Sequence, residues 1–284
     1  MVFTRTFNWP FGLLASNLGH MKIAVCIKQV PDSWAEKKMV GGLLDRANVD
    51  AVLNDLDEYA VEEALRIAEA HGGNEEGGAN TVTVISMGPE RATEAVRKAL
   101  SMGANDAILI SDAALVGADA VVTAEVLANV ISQGGYDLVI CGTESTDARM
   151  SVIPSMLSER LELPQLSFAG EVNVSADQVS IKRVTDEGVD SMSSSMPVIV
   201  SVIEKINEPR YPSFKGIMAA KKKTIEVLSL ADLGVSASEV GGAGSWSLVN
   251  DFNEQAARSA GVKVTDEGAG GNALSEFLAE KRLA

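Results

Sequence analysis

Short apolar runs rich in β-branched residues recur along the first half of the chain, and each is followed by a segment of helical period. Lys22–Lys28, Thr81–Ser86, Ala107–Ile110 and Asp137–Cys141 are too short for helices and read as buried strands. Asn54–His71 carries Leu56, Tyr59, Ala60, Ala64, Leu65, Ile67 and Ala68 mainly at three- and four-residue spacing, and Gly72-Gly73 ends it. Helices are likewise predicted over Glu90–Met102, Asp119–Ser132 and Arg149–Leu161. This alternation constrains the fold more than any other feature. It predicts βαβ units and an α/β fold whose mostly parallel sheet is covered on both faces.

The pattern then changes. Glu171–Val174, Val179–Val184 and Val189–Ser194 alternate apolar and polar residues, as an antiparallel meander with one wet face does. Val198–Ile203 is apolar again and is placed back in the sheet. Asn207–Gly216, with two prolines and no period, reads as a surface loop, and Ile217–Lys223 as a short basic helix. We therefore expect an N-terminal extension over 1–20, an α/β domain over 21–232 and an extended C-terminal arm over 233–284. In the arm only Ala273–Arg282 has helical character, and its glycines Gly241–Gly244 and Gly268–Gly271 read as flexible linker. The extension differs in composition from the rest of the chain and precedes a second Met-Lys pair at Met21, so it reads as non-native or as an upstream start.

Composition removes several functions. A net charge of −15 argues against a nucleic-acid polymer as partner. Two cysteines and two histidines leave little from which to build a disulfide framework, a His-rich metal site or a His-dependent nucleophile. No apolar run approaches the roughly 18 residues of a membrane span. Neither GxxxxGK[ST] nor a GxGxxG after a strand is present, so the fingerprints of a Walker ATPase and of an ordinary dinucleotide fold are missing.

In open parallel sheets, ligands lie beyond the carboxyl ends of the strands. Two loops fall there. Cys141–Asp147 (CGTESTD) offers a glycine for close approach, three hydroxyls, and an Asp to cap the next helix or hold a ribose hydroxyl; an ordinary β–α turn accounts for it equally well. Ser86–Glu90 (SMGPE) places Met87 and Gly88 similarly, although a turn with Pro at a helix start explains it too. Cys26 and Cys141, at strand ends, read first as small buried hydrophobes. Lys221–Lys223 stands out in an acidic chain as a candidate docking patch, with Phe214 as a candidate exposed anchor.

Together the segments MKIAVCIKQVPD, DEYAVEEALRI, GPERATEAVRKALSMGA, GTESTD, NEPRYPSFKGIMAAKKK and AGVKVTDEG resemble the β subunits of electron transfer flavoproteins. That resemblance implies an adenine-nucleotide-binding, Rossmann-like fold and an α subunit as partner in a heterodimer. It implies AMP held structurally in this chain and FAD held mainly by the α subunit. It implies electrons received from acyl-CoA or other flavin dehydrogenases and passed to a quinone oxidoreductase or another acceptor, with no catalytic residues here, a place in fatty acid oxidation and a cytoplasmic location.

By motif position the AMP contacts fall on Cys26, Asn54, Asp55, Leu56, Asp57, Met87, Gly142, Thr143, Glu144, Ser145, Thr146, Asp147 and Ser151. The partner-recognition loop maps to 209–218, with Pro209, Tyr211, Phe214, Ile217 and Met218, and Phe214 as its anchor. Ser33 and Trp34 lie where the family approaches the FAD ring. Ala148–Val152 lacks the Thr- and Gln-containing run of members that bind a second FAD, which disfavours electron bifurcation. The competing reading is a stand-alone ATP-binding α/β protein, either an adenylating enzyme or a stress sensor. It lacks the Gly-rich phosphate loop after the first strand, where KQVPDSW stands instead.

Overall fold

A computed structural model describes residues 20–253, 256, 260, 261 and 263–284. Apart from His20, the N-terminal extension lies outside the described residues. Residues up to Asn250 form one compact unit, and Asp251–Ala284 form a second.

The first unit runs β1 (Lys22–Ile27), β2 (Gln29–Pro31), β3 (Met39–Val40), β4 (Leu43–Leu44), β5 (Ala51–Leu53), α1 (Asp55–Ala70), β6 (Thr81–Met87), α2 (Thr93–Met102), β7 (Asp106–Ile110), α3 (Ala120–Gly134), β8 (Leu138–Gly142) and α4 (Ile153–Leu161). It continues with β9 (Gln165–Ser175), β10 (Gln178–Thr185), β11 (Gly188–Ser195), β12 (Val198–Val202), α5 (Phe214–Lys222), β13 (Glu226–Leu228) and the single turn α6 (Gly241–Gly244). Among its described residues the second unit has one helix, α7 (Gly270–Glu280).

Nine strands form one sheet in the order β11-β10-β9-β12-β8-β1-β6-β7-β13. Every neighbouring pair from β9 through β12 to β13 is parallel, while β9–β10–β11 is the antiparallel meander. The sheet divides two apolar layers. Ile23, Val25, Ile140 and Val200 pack against α1 and α2. Ala24, Val139, Cys141 and Ile199 pack against α3 and α4. Continuous burial on both faces is why β1, β8 and β12 read as unbroken apolar runs.

The structure departs from the sequence reading in several places. The helix placed at Arg149–Leu161 starts at Ile153, because Arg149 and Ser151 adopt left-handed backbone with φ of +51° and +56°. Phe214 is the first residue of α5 and not part of a loop; Ser213 caps that helix by accepting the Gly216 N–H at 3.0 Å. Gly241–Gly244 is a packed turn and no flexible linker. A Cβ on Gly241 would lie 2.0 Å from the Ala114 carbonyl oxygen, so only glycine fits. Leu233 and Val240 join the core beside α3, so 233–250 belongs to the first unit.

Candidate functional site

The chain passes from β1 outward through β6 and β7, then returns to β8 on the other side of β1. β1 and β8 therefore flank the topological switch point, beyond whose carboxyl ends open α/β sheets bind their ligands. The loop after β8 and the first turn of α1 meet there. Asn54 occupies the N-cap position of α1 yet makes no side-chain cap. Its fully buried carboxamide turns instead to the loop: Nδ2 donates to the Glu144 carbonyl at 2.9 Å, and Oδ1 accepts the Thr146 N–H at 3.0 Å. Thr143 donates to the Val202 carbonyl from both its N–H and its hydroxyl. A Cβ on Gly142 would stand 2.5 Å from Asp57 Oδ1 and 2.8 Å from the Leu56 carbonyl carbon, so glycine lets β8 close onto α1.

Charges fix the far end of the loop. The Asp147 side chain has 0% exposure and pairs with Lys28 Nζ at 2.8 Å and Arg46 Nη2 at 2.7 Å. Lys28 Nζ also donates to Ser145 Oγ at 3.2 Å. Arg46 is held in turn by Arg91, which donates to the carbonyls of Arg46, Ala47 and Val49. Burial alone would raise the Asp147 carboxyl, but the Lys28 charge and hydrogen bonds from Lys28, Ser145 and Arg46 bring it down to about 2. Asp57 goes the other way. Burial pushes it up to about 7 against hydrogen bonds from the Asn54 side chain and the Lys28 backbone.

Asp147 caps no helix here. Its carboxylate faces inward onto two cations, and the part of the residue that remains accessible is backbone. Ser151 donates to Glu144 Oε2 at 3.2 Å, and Arg149 pairs with Glu144 Oε1 at 3.6 Å, which steadies the left-handed turn before α4. Asp55 is exposed and Leu56 half-buried on the first turn of α1; Met87 ends β6 and packs toward α3. Ser86, one residue earlier, is fully buried and its hydroxyl has no partner. Cys26 and Cys141 are buried register partners on β1 and β8. A thiol–thiol hydrogen bond together with burial pushes Cys141 well above the usual thiol range.

Lys28, Arg46 and Arg91 carry parts of this site that the sequence reading does not single out. Lys28 stands one residue after a recognisable strand, which is a usable signal. Arg46 and Arg91 carry none, since their roles exist only once distant loops meet.

The segment expected to meet a partner is accessible. Tyr211 is 93% and Phe214 80% exposed, and Ile217 and Met218 follow on α5 at the three- and four-residue spacing that shares a helix face. Pro209 is half-buried. Ser33 and Trp34 are exposed after β2, and the Trp34 N–H donates to Asp32 Oδ1 at 3.0 Å. A cleft of about 320 Å3, lined by Lys22, Asp106, Tyr136 and Glu226 among others, lies at the amino ends of the strands, away from these loops. Among the described residues there is no cluster of three or more His, Cys, Asp or Glu able to hold a metal, and no helix is long and apolar enough to cross a membrane.

Fold and site define an α/β protein of Rossmann-like architecture, with a pinned loop at the switch point. The model of the electron transfer flavoprotein domain matches residues 41–233. The chain is 47% identical over 264 residues to the electron transfer flavoprotein subunit beta of Mycobacterium tuberculosis, covering 92% of this chain and 98% of the relative. It is 48% identical over 264 residues to that of Mycobacterium leprae, with the same coverage. It is 39% identical over 227 residues to that of Thermoanaerobacterium thermosaccharolyticum, covering 79% and 85% respectively. The chain belongs to the electron transfer flavoprotein family, as a β subunit.

Proposed function

We propose that this chain pairs with an electron transfer flavoprotein α subunit, binds AMP as a structural ligand and presents a docking segment to flavin dehydrogenases. FAD, held mainly by the α subunit, supplies the one- and two-electron chemistry. This chain binds, orients and encloses; it contributes no acid or base to a reaction.

The observation that carries the nucleotide reading is the pinned loop at the switch point. The loop is held to Asn54 by the Glu144 carbonyl and the Thr146 N–H, to Val202 by Thr143, and to Lys28 and Arg46 by Asp147, which fixes its remaining backbone groups beside the carboxyl ends of β1 and β8. The donor set fits an adenylate. Lys28 and Arg46 are part-exposed cations that together exceed by one charge the Asp147 carboxylate they share, the sign a phosphate requires, and Ser145 and Thr146 add polar groups. Ala148–Val152, without a Thr- and Gln-containing run, favours AMP over a second FAD. Binding of AMP to the folded chain alone raises folded-state stability.

The exposed Phe214, Ile217 and Met218 support docking of acyl-CoA or other flavin dehydrogenases, from which electrons pass to a quinone oxidoreductase or another acceptor, as in fatty acid oxidation in the cytoplasm. Trp34 is the residue of the Ser33-Trp34 pair able to approach the FAD ring. The C-terminal arm packs on the α subunit. Co-expression with an α subunit tests this reading. A yellow heterodimer is expected; a lone chain that turns over ATP overturns it.

A further inference from the structure

We infer that Arg210 is the latch that fixes the docking segment on α1, so that Tyr211 and Phe214 are offered to a partner in one position. The inference rests on the reading of Pro209–Met218 as a docking surface. The guanidinium makes two forks. Nε and Nη2 donate to Glu62 Oε2 and Oε1 at 2.7 and 3.0 Å, while Nη1 and Nη2 donate to Glu69 Oε1 and Oε2 at 2.6 and 3.1 Å. The Arg210 backbone N–H donates to Glu62 Oε2 as well, at 3.2 Å. Three residues earlier, Asn207 Nδ2 donates to the Tyr59 carbonyl at 3.1 Å and to Glu63 Oε2 at 3.0 Å.

The stretch 207–212 has no helix or strand hydrogen bonds of its own. Its position comes from α1. Glu62 and Glu69 lie seven residues apart, two turns, and so present their carboxylates along one face. Downstream, α5 is fixed separately. Gly216 lies where a Cβ would meet the Ser101 carbonyl oxygen at 2.5 Å, and Arg97 donates to the carbonyls of Ala220 and Lys223 at the end of the helix. The two exposed aromatics thus sit between two anchored points, and neither contributes to the core.

An exposed ion pair does little, but Glu62 is only 7% exposed and its fork needs the planar geometry of arginine, which lysine cannot reproduce. Ordering an anchor in advance lowers the entropic cost of docking. Arg210 is therefore a positioning residue, acting on the partner through Tyr211 and Phe214.

The test uses the assembled α/β protein with Arg210→Lys or Glu69→Gln. Two quantities are read: amide hydrogen exchange across 207–214, and the kcat and KM of a purified acyl-CoA dehydrogenase with the flavoprotein as varied electron acceptor. For Arg210→Lys, exchange should rise and KM increase about tenfold, with kcat within about twofold of wild type. Glu69→Gln should act in the same direction but less strongly, and it decides the matter should Arg210→Lys fail to assemble. Unchanged exchange overturns the latch. Faster exchange with unchanged KM overturns the positioning role. If Phe214→Ala also leaves KM unchanged, the docking reading has failed, and the exchange measurement still decides whether Arg210 holds the segment.

Discussion

Asn54 and Thr146 are joined across 92 residues of chain: the Asn54 carboxamide oxygen accepts the Thr146 N–H while its nitrogen donates to the Glu144 carbonyl. A carboxamide is one of the few side chains with a donor and an acceptor side by side, so it can replace a strand neighbour for an irregular loop. Asn54→Ala removes both bonds in a fully buried setting and should cost about 2 kcal/mol. Urea unfolding of the assembled protein measures it. A loss below a few tenths of a kcal/mol would show that the loop does not depend on this side chain.

Gly142 is a second support for the same loop. An added Cβ meets Asp57 and the Leu56 backbone, and a backbone carbonyl cannot swing aside as a flexible side chain can. Gly142→Ala should destabilise by about 1–3 kcal/mol and lower nucleotide retention, as overpacking does. Comparison of thermal midpoints and of bound nucleotide after gel filtration checks both effects.

The two buried carboxyls give opposite pH dependences. Asp57 is raised from 3.8 to about 7, so it holds its proton more tightly folded than unfolded. Its contribution is full below pH about 4 and is lost as pH rises to about 7, at most about 4 kcal/mol. Asp147 is lowered to about 2, so its contribution is present above about pH 4 and is lost as pH falls toward 2. Asp57→Asn should flatten the decline between pH 4 and 7 and leave the acid limb unchanged. A denaturation midpoint that still falls across that window in the variant would assign the slope to another group.

Most of the sheet is legible in the sequence because buried parallel strands are short and uniformly apolar, and glycines close the helices between them. The switch-point loop is legible as a place, since it follows the strand DLVIC. Its internal chemistry is not. Asp147 resembles a helix cap in sequence, and only the left-handed backbone at Arg149 and Ser151, with Lys28 and Arg46 arriving from elsewhere, turns it inward. The lengthened β9 is half hidden as well: Leu166 and Ala169 are buried against β12, whereas the meander beyond them alternates. Phe214 is legible as an exposed aromatic beside prolines. The Arg210 forks are not, because charge pairing between α1 and a segment more than a hundred residues away leaves no local pattern.

Phe214 is expected to dominate docking. An exposed aromatic at the start of α5, sharing a face with Ile217 and Met218, has the form of a binding hot spot. Phe214→Ala should cost about 2 kcal/mol in transfer from a dehydrogenase, roughly 30-fold in kcat/KM, with the FAD content of the heterodimer unchanged. Stopped-flow reduction of the flavin by a reduced dehydrogenase reads this, and equal rates for variant and wild type would remove the anchor role.

Identification of the nucleotides released by denaturing the co-expressed heterodimer is the most direct measurement of the whole account. One FAD and one AMP per pair is the predicted result. Two FADs, or a purified pair whose β subunit releases no adenylate at all, would contradict it.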